Sequence, residues 1–260
     1  MRTVTTGADI VLPLEAYEMT GVQQNNFEKA AALLAHDCMK TFGFNFMETD
    51  VGNADTSIPV NSGYYGVIDP AEAAKWGYHP PAYMADDKKP GAPMTPDEAM
   101  VYGGKGAGAI NGKTIPQGGC LGQARHQLGQ SGDANVVNNK ITTLALGING
   151  QAQASPRSQA AMKAWSACMQ KSGFVYSDMW KANNDVRWSG PTPSQLEIKT
   201  AEADVACKTS TKLPSILLAV ESGMQQAEVE KEPQLFQDMR KYLDAEMRNV
   251  NTVLAGGKIG

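Results

Sequence analysis

Few groups in this chain are placed to do chemistry: three histidines, four cysteines, one glycine-rich run with lysines, and two clusters of aromatic and amide side chains. The histidines are His36, His79 and His126. None has a second His, a Cys or a carboxylate at the three- or four-residue spacing that puts two ligands on one helix face, and Asp37, adjacent to His36, points elsewhere. No metal site and no cofactor is expected. A serine hydrolase needs a base beside its nucleophile, and no Gly-x-Ser-x-Gly elbow occurs. The carboxylates are numerous, but their spacing singles out no pair for glycoside hydrolysis, so no catalytic residue is nominated.

The run from Gly103 to Thr114 has the composition of a phosphate loop and fails its template. A Walker loop needs Gly five residues before Gly112, where Ala107 stands, and Pro116 follows where a helix should begin. A dinucleotide fingerprint needs a buried strand ahead of it, and Met100-Val-Tyr is too short for one. The run reads as a surface loop. What remains is Trp76, Tyr78, His79 and Tyr83 in the first half, with Trp180, Asn183, Asn184, Asp185, Arg187 and Trp188 in the second. Aromatics interleaved with amides and a guanidinium suit peptide, sugar or protein surfaces. The same tryptophans would also serve as plugs for small cores beneath long loops.

These residues need a scaffold, and the 260-residue chain is long enough to bury a core as one large or two small domains. Its 42% hydrophobic and 19% charged composition is globular, and apolar runs such as Ile216 to Val220 are too short to cross a bilayer. A net charge of −4, with 23 Lys and Arg dispersed among 27 acids, removes the basic footprint of a nucleic-acid binder. Partners are expected instead among envelope or secreted proteins, peptides or glycans.

Cysteine spacing carries more. Four Cys without a C-x-x-C pair fit neither a zinc knuckle nor a thioredoxin-type redox site, so disulfides are the better reading, and disulfides imply an oxidising compartment. The segment Met1 to Ile10 has no apolar signal core. The chain therefore reads as a mature segment whose signal peptide or lipid-anchor leader has been removed, with Met1 added, and membrane contact is expected only through such a leader.

The elements follow from caps and periodicity. Residues 1–19 read as an extended segment whose Leu12, Leu14 and Tyr17 clip onto the body. Thr20 and Gln23 form a capping box ahead of the stripe Phe27, Ala30, Ala31, Leu34, Cys38. Asp69-Pro70 opens a short helix that Gly77 stops, and Thr95-Pro96 opens another. Cys120 lies near a helix start. Residues 129–154 are polar and rich in Asn and Gly, and the join between halves is placed there. Ser155-Pro156 opens a helix with Ala161, Met162, Trp165, Cys168 and Met169 on one face, and Ser194 caps another carrying Leu196, Ala203 and Cys207. Two helices broken at Pro233 finish the chain, the second with the stripe Phe236, Met239, Leu243, Met247, Val250, Leu254.

One short pattern occurs twice, 130 positions apart: Cys38-Met-Lys-Thr-Phe-Gly43-Phe44 and Cys168-Met-Gln-Lys-Ser-Gly173-Phe174. Each reads as a helix end with a left-handed glycine cap followed by an extended exit. Of three possible connectivities, the pairing that respects a duplication is Cys38 with Cys120 and Cys168 with Cys207. The expected fold is mainly α, with two pseudo-repeated disulfide-linked helical halves, long loops and a C-terminal helical pair. Its segments are 20–150, 151–212 and 213–260, forming one compact unit.

Several motifs together resemble a large group of uncharacterised actinobacterial secreted proteins, many of them predicted lipoproteins. They are Leu12-Pro-Leu-Glu-Ala-Tyr17, Cys38 to Phe44, Gly77-Tyr-His79, Pro116-Gln-Gly-Gly-Cys120, Trp165-Ser-Ala-Cys168-Met with Gly173-Phe174, and Ala203-Asp204-Val-Ala-Cys207. The resemblance implies export and supports disulfides, and it assigns no activity to any residue. The function expected is an extracytoplasmic, disulfide-stabilised binding or interaction protein at the cell envelope. The alternatives are a secreted hydrolase acting on peptide or glycan, and an inhibitor of one secreted partner.

Overall fold

The structure, a computed structural model, describes residues 2–56, 61–80, 93–105, 108–130 and 133–259. The chain is mainly α-helical, and no described helix is long and apolar enough to cross a membrane. It divides into two units. The first comprises Met1–Ala16, Ser57–Asp86 and Thr142–Lys231, the second Tyr17–Thr56, Asp87–Ile141 and Glu232–Gly260. The units are interleaved along the chain instead of following the consecutive segments read from the sequence, and the two C-terminal helices fall in different units. Spacing of caps and stripes marks elements, whereas membership of a core depends on contacts between residues far apart in sequence.

In the second unit, α1 (Gly21–Thr41) starts as its sequence requires. The Thr20 hydroxyl accepts from the Gln23 N–H while Gln23 Oε1 accepts from the Thr20 N–H at 2.8 Å. Phe27, Ala30 and Ala31 of α1 pack with Leu128 of α4 (Gly119–Leu128) and with Val250 and Val253 of α10 (Pro233–Leu254). Ala35 and Met39 pack with Phe42, Phe46, Cys120 and Val101, the last from α3 (Pro96–Gly103). Small alanines let α1 approach its neighbours closely, and the Cys38–Cys120 disulfide joins α1 to α4 with their Cα atoms 5.5 Å apart. On α10 the buried stripe ends on Val253, while Leu254 is 38% exposed, because the register has drifted past the core by the last turn.

The glycine-rich run is more than the loop read from the sequence. β1 (Ala109–Ile110) and β2 (Lys113–Thr114) pair antiparallel across Asn111-Gly112, whose φ angles of 49° and 75° are those of a type I′ turn. The stretch 129–154, read as the join between halves, holds a boundary between the two units, at Ile141 and Thr142. Residues Asp133–Ala154 form one helix, α5. Its Asn and Gly residues are poor helix formers, but Ile141, Ile148 and Ala152, at spacings of seven and four, are all buried, and packing outweighs propensity.

One acid in this unit gives a pH-dependent expectation. Glu246 of α10 is half-buried, its Oε1 has no partner among the described residues, and burial pushes its carboxyl up from 4.5 to about 7, with Gln130 pulling the other way. The folded state therefore holds the proton more tightly than the unfolded chain, so stability falls as pH rises from the ordinary glutamate range through about 7. Glu246→Gln should gain about 1 kcal/mol at pH 8, discounted for partial exposure, and nothing at pH 4. Melting curves at both pH values check this, and an equal effect at each would contradict it.

The first unit contains α2 (Pro70–Trp76), α6 (Pro156–Lys171), α7 (Met179–Asn183), α8 (Gln195–Thr211) and α9 (Leu213–Lys231). The amino-terminal segment is built into this unit, with Val4, Ile10 and Leu12 in a core with Tyr65, Trp165, Met169, Met179 and Leu217. Its backbone is anchored to α9, where the Val4 N–H donates to Ser215 Oγ and the Leu14 N–H to Gln225 Oε1, both at 3.0 Å. The Cys168–Cys207 disulfide joins α6 to α8 with a Cα separation of 5.6 Å.

The two Cys-Met helix ends share their geometry. Gly43 and Gly173 have φ of 88° and 90°, which explains the glycine at each. The Phe44 N–H reaches the Met39 carbonyl at 3.1 Å and the Phe174 N–H the Met169 carbonyl at 2.9 Å, the long bond of a Schellman cap. Each exit strand is also tied back at the same relative position. His36 Nδ1 bonds the Phe46 carbonyl at 2.9 Å, and Ser166 Oγ donates to the Tyr176 carbonyl at 2.5 Å.

Candidate functional site

The polar architecture of the first unit rests on three acids that are 1% exposed or less, Glu197 and Asp204 on α8 and Glu221 on α9. Sequence reading marked Leu196, Ala203 and Cys207 on α8. Leu196 is 49% exposed, and the buried face carries Glu197, Thr200, Ala201, Asp204, Val205, Cys207 and Lys208. Positions 197, 201, 204 and 208 recur at four, three and four residues, so they do form a helical stripe. Apolar periodicity misses it because three of the four residues are charged.

Asp204 is the innermost of these acids. Its Oδ1 accepts from Trp165 Nε1 at 2.8 Å, and its Oδ2 from Lys208 Nζ at 3.0 Å and from the Tyr78 hydroxyl at 3.2 Å. Lys208 donates also to the Val67 carbonyl at 2.8 Å. Burial pushes the Asp204 carboxyl up and the Lys208 ammonium opposes it. Burial, then the Asp204 charge, raise the Tyr78 hydroxyl far above its usual range, so Tyr78 stays a donor.

Glu197 holds the chain that leaves α2. Its Oε1 accepts the N–H groups of Tyr78 and His79 at 2.9 and 3.1 Å and His79 Nδ1 at 2.6 Å, while Oε2 closes the capping box with Ser194. Gly77, which stops α2, has φ of 59°, and a Cβ there would sit 2.8 Å from Glu197 Oε1, so no other residue fits. His79 Nε2 lies 2.7 Å from the Gly190 carbonyl. Both ring nitrogens therefore face acceptors and both must carry protons. The imidazole is a cation whose pKa is raised, first by the Gly190 carbonyl and then by Glu197.

A group raised in this way stabilises fully below the ordinary histidine range and loses its contribution as pH climbs through the folded value. His79→Gln should cost about 1–3 kcal/mol at pH 6 and markedly less at pH 9. Denaturation curves at the two pH values check it. A loss that stays constant with pH would mean the ring acts by packing alone.

Among the described residues no cation pairs with Glu221. Its oxygens accept the Tyr64 hydroxyl at 2.6 Å, the Tyr65 hydroxyl at 2.9 Å and Asn149 Nδ2 at 3.2 and 3.3 Å. The chain of bonds continues outward. Gln153 Nε2 donates to Asn149 Oδ1 at 2.7 Å, and Trp180 Nε1 donates to Gln153 Oε1 at 2.8 Å. Burial, with Glu221 beside them, raises both tyrosine hydroxyls well above their usual range.

The outer layer of the unit is the segment between α6 and α8. Tyr78 stacks on Trp188 with ring centres 5.9 Å apart and planes 21° from parallel. The Arg187 guanidinium lies 5.0 Å from the Trp188 ring and 6.0 Å from that of Tyr176. Its Nε donates to both Asp185 oxygens at 3.0 Å, and its Nη2 reaches Asp185 Oδ2 and the Tyr176 hydroxyl, each at 2.6 Å. Asp185 is held far below the usual carboxylate range by Arg187, and burial followed by Asp185 pushes Tyr176 up to about 12. Val186, the residue before this fixed cation, and Val175, the residue before Tyr176, are 85% and 81% exposed.

The residues singled out in the sequence thus separate. Tyr78, Arg187 and Trp188 come together in the stack, and His79 ties the same region to Gly190. Trp180 faces Gln153, Asn183 donates to Asn184 at 3.0 Å, and Trp76 carries the Lys75 ammonium 4.7 Å over its ring. Trp188 is buried and donates to the Ala182 carbonyl at 2.8 Å, so it also braces the segment. Tyr83 lies outside the described residues. Sequence reading missed Glu197, Asp204, Lys208, Glu221, Tyr64, Tyr65 and Asn149. The i, i+4 pair Asp204 and Lys208 was the one local signal available. Among the described residues no group of three His, Cys, Asp or Glu side chains could hold a metal ion. Compared with known proteins, the chain matches no family model, no curated protein and no solved structure.

Proposed function

We propose that the protein is an exported binding protein of the cell envelope that engages another protein through residues 172–196 of its first unit. The observation that carries this reading is the Arg187 knuckle. A guanidinium held by Asp185 and Tyr176 over two rings has little rotamer freedom left to lose on binding, and its chain neighbour Val186 is 85% exposed. Rigid arginine and aromatic groups beside apolar surface are the composition of binding hot spots, because the ordering cost has been met in the free protein. The carboxylate and imidazolium network beneath, around Asp204, Glu197 and His79, supports the segment from below. Two disulfides support an oxidising compartment, in line with the resemblance to secreted actinobacterial proteins. The shared cap and carbonyl tie at the two Cys-Met helix ends support descent from a duplicated module.

A photo-cross-linking residue at Val186 should give one discrete adduct in the envelope fraction of the native host, competed away by unlabelled protein and lost with Val175→Asp. The same probe at Leu254 should give none. Absence of a competed adduct at Val186, or turnover of peptide or glycan by the purified protein, would overturn the reading.

A further inference from the structure

Between Trp188 and the start of α8 the chain makes an exposed turn, and one ring nitrogen holds it. Gly190, Pro191 and Thr192 are exposed. Among the described residues, the 2.7 Å bond between His79 Nε2 and the Gly190 carbonyl is the one hydrogen bond that residues 190–193 make. Both flanks are fixed without it. Trp188 is buried, stacked on Tyr78 and bonded to the Ala182 carbonyl, and Ser194 is joined to Glu197 in the α8 capping box. His79 is itself anchored on its other side, where Nδ1 lies 2.6 Å from Glu197 Oε1. That carboxylate is held in place, because the same oxygen accepts the Tyr78 and His79 N–H groups and its side chain is 1% exposed.

A ring clamped between two acceptors needs both of its protons, and the charges facing it decide which one leaves first. From α8 the ring meets Glu197, and residues 189–194 bring no titratable side chain. On the α2 side Lys75 lies 4.7 Å over the Trp76 ring, and the Tyr78 hydroxyl stays protonated against Asp204. A carboxylate is a stronger acceptor than a carbonyl, so the neutral ring keeps its proton on Nδ1, and Nε2 becomes a lone pair 2.7 Å from the Gly190 oxygen. Two lone pairs at that distance repel, and no other hydrogen bond among the described residues holds the turn. We propose that His79 is a proton-operated latch: the imidazolium clamps residues 190–193 against the exit of α2, and loss of the Nε2 proton lets that turn swing into water while Trp188 and α8 stay in place. Such an opening is local, because both flanks keep their own bonds. The latch is closed through the ordinary histidine range, since the Gly190 carbonyl and then Glu197 raise the ring's pKa, and it opens as pH climbs through the folded value.

Carbon-detected NMR of the whole, isotope-labelled, disulfide-bonded protein from about pH 5 to about pH 10 tests this. At the acid end both ring nitrogens of His79 should carry protons. As the pH rises Nε2 should lose its proton and Nδ1 keep its own, with a midpoint above that of a histidine in an unfolded peptide. At that same midpoint the Gly190 carbonyl resonance should move, and the backbone order parameters of Gly190 and Thr192 should fall from about 0.85 to below about 0.6, while those of Trp188 and Leu196 hold. His36 and His126 titrate in the same sample and serve as internal controls. His79→Gln has no proton to lose, so in that variant the order at Gly190 and Thr192 should not depend on pH, with an unshifted Trp188 indole signal certifying the fold. Order at Gly190 and Thr192 that stays constant through the His79 titration, a change that follows His36 or His126, loss of the Nδ1 proton in place of that on Nε2, or a pH response that persists in His79→Gln would each overturn the latch. None of these outcomes bears on the cross-link at Val186, so the latch and the contact surface fail separately.

Discussion

Lys208→Met is expected to destabilise the first unit by about 3–5 kcal/mol, more than any other single change considered for this chain. The side chain is 1% exposed, and its ammonium is the counter-charge for Asp204 as well as the donor to the Val67 carbonyl. Removing it leaves a wholly buried carboxylate supported only by Trp165 and Tyr78, and a carbonyl without its ammonium donor. The cost should depend on pH in a definite direction. Burial already pushes Asp204 up, and without Lys208 the folded carboxyl rises further, so the folded variant binds a proton the unfolded chain gives up. The penalty should be small below pH 4 and grow towards neutrality. Asp204→Asn added to Lys208→Met keeps an acceptor for Trp165 and removes the charge, and should recover most of the loss. Urea unfolding followed by tryptophan fluorescence measures all three variants. All four tryptophans, 76, 165, 180 and 188, lie in the first unit, so this signal isolates it. A Lys208→Met midpoint within 1 kcal/mol of wild type at pH 7 would show that the buried pair is dispensable.

Removing each disulfide should cost nearly as much, and at different places. Cys168–Cys207 closes 39 residues and Cys38–Cys120 closes 82, and the chain-entropy relation assigns roughly 4 kcal/mol to each, longer loops giving slightly more. Since each bridge falls within one unit, the two losses should be read by different signals. Cys168→Ala/Cys207→Ala should lower the transition seen by tryptophan fluorescence. Cys38→Ala/Cys120→Ala should lower the far-UV circular dichroism transition and leave the fluorescence transition less affected. Alanine suits the test because Cys120 and Cys207 are buried and a serine hydroxyl would add a polar cost of its own. Coincident shifts of both signals in both variants would mean that the chain unfolds as one cooperative block.

Neither variant touches Arg187 or Val186, so the cross-link expected at Val186 can be followed beside stability. Loss of that cross-link in the Cys168→Ala/Cys207→Ala protein at temperatures where it remains folded would show that the bridge between α6 and α8 is what holds the knuckle in place for a partner. The His36 and Ser166 ties to the exit strands are a gentler version of the same restraint, each one hydrogen bond on one backbone carbonyl.

Much of this protein is written in local sequence. Capping residues such as Thr20, Asp69, Thr95, Ser155 and Ser194 place helix starts, because a side-chain oxygen three residues from an orphan N–H acts within one turn and needs nothing else. Gly43 and Gly173 mark helix ends for an equally local reason, the left-handed φ that follows. The disulfide pairing too was legible, through the repeated Cys-Met pattern. Tertiary structure alone decided the rest. It made a helix of 133–154, whose isoleucines find burial that outweighs its asparagines and glycines, and it divided the chain into interleaved units. It also turned Glu197, Asp204 and Glu221 from ordinary surface letters into the supports of the site. Beyond the local Asp204–Lys208 pair, these charges can be buried only where distant partners, here His79, Trp165, Tyr64 and Tyr65, arrive to satisfy them, and no window of sequence contains that meeting.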